Sequence, residues 1–220
     1  MAGQARSEGG SVTLAEMITT ARIRADDTAA PYLWSDAEWV GYANDAEREA
    51  ARRSRLLVDS STAEIVEVSL TAGDVVVDLD PRVLFIRRAR LVGRSGQLQR
   101  ISSKDLDACT PDWEDETGEV AAYVPDIDTR KFRPYPTPTA NGTVKLTVVR
   151  LPLSDMAIND EPELPGHLHE SLIGWMLFRA YSKQDEDTRD PAKAATNLAI
   201  FEAEFGRKSS AIDEAWIQRE

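Results

Sequence analysis

Cysteine is almost absent from this sequence: Cys109 is the only one. That excludes an intrachain disulfide and suits a reducing compartment such as a bacterial cytoplasm. Histidine is nearly as scarce, with His167 and His169 alone. Two residues apart on a helix, their side chains point roughly 200° apart, which prevents shared metal ligation. His167 has helical spacing to Glu170 and Ser171, but polar residues of this kind are ordinary at a helix N-terminus. There is no Walker loop, no Gly-x-Ser-x-Gly elbow, no Gly-x-Gly-x-x-Gly turn and no cysteine cluster. Runs of carboxylates such as Asp26-Asp27 and Asp185-Glu186-Asp187 belong to any acidic chain, and without a cleft nothing tunes one as an acid. No catalytic residue, metal site or cofactor is expected.

Basic residues are outnumbered, 26 against 38 acidic ones, for a formal net charge of -12. A protein that grips nucleic acid by neutralising phosphates needs the opposite balance. An acidic wall would instead let DNA pass without sticking, and acidity also simply keeps a protein soluble. Residues 1–10 are small, polar and glycine-rich, unlike a secretory signal or an anchor, so no membrane partner is expected. Residues 1–11 are expected to form a flexible arm.

What is present is patterned. Thr13 and Glu16 have the spacing of a capping box, with Val12 and Met17 as its hydrophobic staple, and Leu14, Met17, Ile18, Ala21 and Ala25 form an apolar stripe. Asp26, Asp27 and Pro31 end that helix. The device repeats with Ser35 and Glu38 between Trp34 and Trp39. Ala43, Ala46 and Ala50 then give a small-residue face, Glu49 can pair with Arg53 one turn on, and Leu56 and Leu57 are expected to close the helix near Asp59.

From Ala63 to Leu153 the period changes to two. Val66, Val68 and Leu70 alternate with Glu67 and Ser69, and Val75, Val77 and Leu79 with Val76 and Asp78. Further strands are predicted at Val83 to Leu91, Leu98 to Ile101, Val120 to Val124, Lys131 to Tyr135 and Thr143 to Arg150, the spacing of a sandwich or small barrel. Arg94 to Gln97 and Ala140 to Gly142 read as hairpin turns, and acidic Cys109 to Gly118, bearing Trp113, as a long loop. Pro134 to Pro138 lacks the usual Pro-x-x-Pro register and reads as an edge strand or stiff connector. Arg87, Arg88 and Arg90, with Arg94 and Arg100, make the densest basic patch. On a regular strand they fall on alternating faces, to contact nucleic acid or to pair with acids of the chain or of a neighbouring subunit.

Helical signals return after Pro165. Leu168 to Tyr181 has almost no polar face, more than one small domain usually covers, so Trp175, Phe178 and Tyr181 are expected to fill a bundle or a subunit interface. The last long helix opens on Asp190-Pro191, carries Ala194, Leu198, Phe201 and Phe205, and stops at Gly206. Beyond it, Ile212, Trp216 and Ile217 are the apolar residues of a polar tail and candidates for docking a partner. The expected fold is therefore α+β. An antiparallel helical bundle from residues 12–60 and 164–206 carries an inserted antiparallel β sandwich or barrel, residues 61–163, and a tail, residues 207–220.

Several of these motifs occur together in one family. Trp34-Ser35-Asp36-Ala37-Glu38-Trp39 and Asn44-Asp45-Ala46-Glu47-Arg48-Glu49 head the set. Tyr123 to Pro138, Leu146 to Pro152, Leu164-Pro165, His169, Leu172, Arg179-Ala180-Tyr181-Ser182-Lys183, Asp185 to Asp187, Phe201 and Phe205-Gly206 continue it. The order resembles the bacteriophage head-to-tail adaptor, or connector, family, related to the tail tubular adaptors of short-tailed phages. The resemblance spans Leu14 to Gly206, with Trp39 in place of an aliphatic residue and an unmatched tail. It implies a homo-oligomeric, dodecameric ring in the virion neck, assembled in the host bacterial cytoplasm, between a portal protein and a downstream tail or nozzle protein. Double-stranded DNA would pass through the ring without sequence-specific binding, and no catalytic residue carries over. Another ring protein of the phage neck or tail, or a β-barrel ligand-binding module or enzyme with a helical cap, is the competing reading.

Overall fold

The structure, a computed structural model, describes residues 12–210. Helices α1 (Leu14–Ala25) and α2 (Asp36–Ser54) open it. Then come β1 (Val58–Asp59), α3 (Ala63–Val66), β2 (Glu67–Leu70), β3 (Val77–Asp78), β4 (Val83–Leu91), β5 (Gln99–Arg100) and α4 (Ser103–Cys109). β6 (Thr117–Gly118), β7 (Ala122–Val124), β8 (Lys131–Tyr135), β9 (Thr137–Pro138) and β10 (Gly142–Arg150) complete the strands, and α5 (His169–Tyr181) and α6 (Pro191–Phe205) follow. The fold is α+β. It divides into two compact units, a helical one of residues 12–57 with 152–208 and a β unit of residues 58–151.

Both predicted capping boxes start their helices. Thr13 and Glu16 satisfy each other's backbone N–H groups at α1, and Ser35 and Glu38 do so at α2. Trp34 and Trp39 pack at 5.5 Å between ring centroids, so the staple holds the chain's approach angle. α2 stops at Ser54, short of the expected Leu56 and Leu57, because Arg55 turns into the left-handed region at φ 55° and donates its N–H to the Ala51 carbonyl. Asp190 caps α6 by accepting from the Ala192 and Lys193 N–H groups, with Pro191 next.

Apolar α5 finds most of its cover within the chain, against the expectation that one subunit would leave it short. α1, α2 and α6 all pack on it, and Leu172, Ile173, Gly174, Met176, Leu177 and Ala180 are buried. Gly174 is what lets α6 close in. A Cβ there would lie 3.1 Å from the Asn197 carbonyl oxygen and 3.3 Å from the Phe201 nitrogen, both backbone atoms.

In the β unit, β10 is the central strand of one sheet. β4 pairs along one side of it and β2 and β1 along the other, all antiparallel. The second sheet runs β3-β8-β7-β5, and there β5 joins β7 in parallel, as β6 joins β9. The expected all-antiparallel pairing therefore holds for the longer strands and fails at these two-residue ones. Val144, Leu146, Val148 and Ala89 from the first sheet share a core with Tyr123 and Phe132 from the second. Pro134 is tolerated because β3 pairs only with Phe132 and Lys131, leaving β8 one-sided at the proline. The Asn141-Gly142 turn does not join paired strands. Asn141 instead accepts the Ala72 N–H at 2.9 Å, tying two loops together.

Gly174→Ala gains about 1 kcal/mol of helix propensity but overpacks a backbone contact, at a cost of about 1–3 kcal/mol. The net expectation is a melting temperature lower by about 2–4 °C, read by circular dichroism; an unchanged or higher value would show that α6 can shift freely.

Candidate functional site

The polar residues of the sequence motifs are spent on holding helices to one another. On α2, Asn44 clasps the backbone of Met156, its carbonyl accepting the Met156 N–H at 2.8 Å and its amide reaching the Met156 carbonyl at 3.5 Å. Buried Glu47 accepts the Glu163 N–H at 2.5 Å, and Arg48 pairs with Asp155 at 2.5 Å. Residues 152–163 are thereby fastened to α2. The α1 start joins the same segment, with Leu14 and Ala15 N–H groups donating to the Asp160 and Ile158 carbonyls.

The motif at the end of α5 interlocks with the motif at the start of α2. Asp45 pairs with Arg179 at 2.7 Å, Glu38 with Lys183 at 2.7 Å, and the Trp34 indole N–H donates to the Ala180 carbonyl at 3.2 Å. Tyr181 meets Trp34 edge-on at 5.8 Å. On the other side of α2, Glu49 holds both Arg52 and Arg53. Arg53 reaches on to the Gly206 carbonyl at 3.0 Å and lies over the rings of Trp175 and Phe201. Arg22 is held by buried Asp27 at 2.6 Å and by Asp36 at 2.8 Å.

The two histidines have unrelated roles. His167 is exposed. His169 is buried, its Nδ1 accepting the Val12 N–H at 3.1 Å and its Nε2 donating to the Leu164 carbonyl at 2.7 Å, so the ring is a brace between chain segments. Among the described residues no group of three His, Cys, Asp or Glu side chains has an arrangement that could hold a metal.

Trp175, Phe178 and Tyr181 lie on α5. Tyr181 is buried, while Trp175 and Phe178 are half-buried and pack within the helical core, Trp175 at 5.1 Å from Phe178 and 5.0 Å from Phe201. The tail residues Ile212, Trp216 and Ile217 lie outside the described residues. The structure also places Trp113 where a loop reading could not. It is buried against Leu106, Val124 and Tyr135, donates to Asp107 at 2.8 Å, and carries the Arg133 guanidinium 4.8 Å above its ring. Within the expected long loop, Cys109 ends α4, Trp113–Asp115 forms a short 3-10 turn and Thr117–Gly118 is β6.

Arg87, Arg88 and Arg90 do not alternate between faces. Arg88 stands opposite Thr147 and Ile86 opposite Val148, so Arg87 is an extra residue, a β-bulge. A bulge re-aims the side chain it inserts, and all three arginines are exposed while Ala89 between them is buried. None of the three side chains makes an ion pair or hydrogen bond among the described residues. Beside them, Arg90 faces Lys145 directly across the ladder, a like-charge pairing that costs stability.

One depression in the β unit lies beside Tyr123, Leu84 and Ile86 and holds about 110 Å³, below the roughly 300 Å³ at which small-molecule sites usually start. Another, along Ile65, Val68, Val77 and Leu79, holds about 390 Å³ and is open to solvent.

The motif residues brace helices to one another, and the comparison with known families says what kind of protein they build. The chain matches the family described as SU10 adaptor protein over residues 12–219, and it belongs to that family. It is a bacteriophage structural adaptor. The match continues past Gly206, so the tail belongs to the family pattern, contrary to the expectation that it stands apart. No curated protein matches the chain.

The Glu38 clasp has a pH signature. Its ion pair with Lys183 chiefly, then the Ser35 N–H, holds its carboxyl down from the ordinary 4.5 to about 2. The fold thus favours the ionised form: the stabilisation is complete above the ordinary value and is lost as the pH falls through about 2. Glu38→Gln keeps an acceptor for the capping box but loses the ion pair. It is expected to lower the melting temperature by about 2–4 °C at pH 7, with the gap to the native chain closing between pH 5 and 2; a gap independent of pH would refute this assignment.

Proposed function

We propose that the protein is a non-catalytic subunit of the phage head-to-tail connector. Twelve copies form a ring beneath the portal, continue its DNA channel and receive the next tail or nozzle component. The ring works in the virion neck after assembly in the host bacterial cytoplasm. The observation that carries this reading is the family match across residues 12–219, both units together.

One face of the helical unit supports oligomerisation. Ala192, Ala195, Ala199 and Ala203 of α6 are exposed with Ile200, which is 54% accessible, so this side of α6 has no cover in a single copy. Trp175 and Phe178 on α5 are half-buried, and a neighbouring copy would seal them further. The acidic balance suits a wall that DNA passes. In this reading the tail residues Ile212, Trp216 and Ile217 dock on the portal.

Mixing the full chain with its portal and weighing the complex tests the proposal. Twelve copies per portal are expected; a chain that stays monomeric at high concentration with the portal present would refute it. Truncation after Gly206 is expected to weaken portal binding at least about tenfold, the scale of losing a buried Trp anchor. Unchanged affinity would remove Ile212, Trp216 and Ile217 from the docking surface.

A further inference from the structure

The β unit is electrically two-sided. Ala89 of β4 and Val144, Leu146 and Val148 of β10 point into the core between the sheets. The residues that alternate with them, Arg88, Arg90, Lys145 and Thr147, therefore lie on the outer face of the first sheet, joined by Arg87 through the bulge. In the second sheet, Tyr123 and Phe132 point into the same core, whereas Val124 and Tyr135 point the other way, onto Leu106 and Trp113. That opposite outer face is covered by α4 and the Trp113–Asp115 turn. Trp113 is its buried anchor, and Asp112, Glu114 and Asp115 around it are exposed, with no ion-pair partner among the described residues.

Most arginines of the helical unit are ion-paired: Arg22, Arg24, Arg48, Arg52, Arg53 and Arg179. In a chain with twelve more acids than bases, three neighbouring arginines without a partner, next to a Lys145 that already uses Glu67 at 2.6 Å, call for an anion from outside. The acidic cover on the opposite face is such a partner, but no copy can reach its own. We propose that the β units of successive copies bind head to tail, with Arg87, Arg88 and Arg90 of one copy on the Asp112, Glu114 and Asp115 cover of the next. Two different faces meeting in this way make a heterologous contact, the type that generates rings. The inference rests on the ring reading and specifies which surfaces of the β unit would close it.

Charge reversal tests it with the full chain and its portal. Replacing Arg87, Arg88 and Arg90 by Glu gives a copy with two acidic faces, and replacing Asp112, Glu114 and Asp115 by Lys gives one with two basic faces. Each variant alone should need at least about tenfold more protein to assemble, as expected for lost interfacial charge pairs, and an equimolar mixture should recover most of the loss. All six side chains are exposed, so neither variant should melt more than a few degrees below the native chain, and Glu in place of Arg90, which faces Lys145, should if anything raise the melting temperature of the first. A crosslink gives a second readout independent of those variants. Arg88→Cys beside the native, exposed Cys109 should yield, with a short bismaleimide, a ladder of species beyond the dimer.

Reversed variants that assemble like the native chain, a mixture without rescue, or crosslinking that stops at the dimer would each overturn the head-to-tail contact while leaving the ring reading intact if native mass still shows a ring. A native chain that never assembles overturns both. Normal assembly by the Arg-to-Glu variant, together with loss of salt-sensitive retention on double-stranded DNA, would reassign the arginines to phosphate.

Discussion

The clasp between the first and last thirds of the chain is the constraint on which the helical unit depends. Residues 34–49 and 156–183 are far apart in sequence, yet Asn44 holds Met156, Asp45 holds Arg179, and Glu38 holds Lys183. The partners come from opposite sides of a β unit of residues 58–151, so every one of these contacts closes a long loop. Apolar burial alone would permit α5 to rotate or slide on α2, because alanines and leucines are nearly interchangeable as neighbours. The polar pairs fix register and rotation, and buried Trp34, donating to the Ala180 carbonyl, joins the two kinds of restraint in one side chain.

That arrangement changes what the apolar character of α5 means. A helix without a polar face looks like a surface waiting for another subunit. Here α1, α2 and α6 already surround much of it, and the side left open belongs to α6, where small residues and Ile200 face outward. The β unit differs again. Its outward surfaces are charged, and a single inserted residue in β4 decides where that charge points. Two units of one chain thus present neighbours with two different chemistries, an apolar helix side and a pair of oppositely charged sheet faces.

Local signals in the sequence were dependable because their physics is local. Capping boxes at Thr13 and Ser35, the Asp190-Pro191 start, and the limits of β4 and β8 depend on a few consecutive residues. The misses share a different origin. Arg55 ends α2 in a left-handed conformation without the glycine that usually signals it. The parallel pairing of β5 with β7 requires a non-local partner, and Trp113 is buried only because α4 exists to cover it. The bulge at Arg87 was hidden for a related reason. Strict alternation assumes a count of residues that the partner strand, not β4 itself, determines. The role of His169 likewise needs Val12 and Leu164, one of them distant in sequence.

The junction of the two units carries a last consequence. Val58 of β1 pairs with Val149 of β10, and buried Asp59 is bonded to Arg150 at 2.7 Å and to the Ser61 and Thr62 N–H groups. Burial would raise the Asp59 carboxyl, but these bonds together hold it well below the ordinary carboxylate range. The chain therefore leaves the helices and returns to them across one rung of a ladder, locked by a charge pair. To the helices, everything between is a closed excursion whose ends meet. Because the two ends are tied to each other, ordering the β unit costs the helices little more than closing a short loop, whatever the length of chain between.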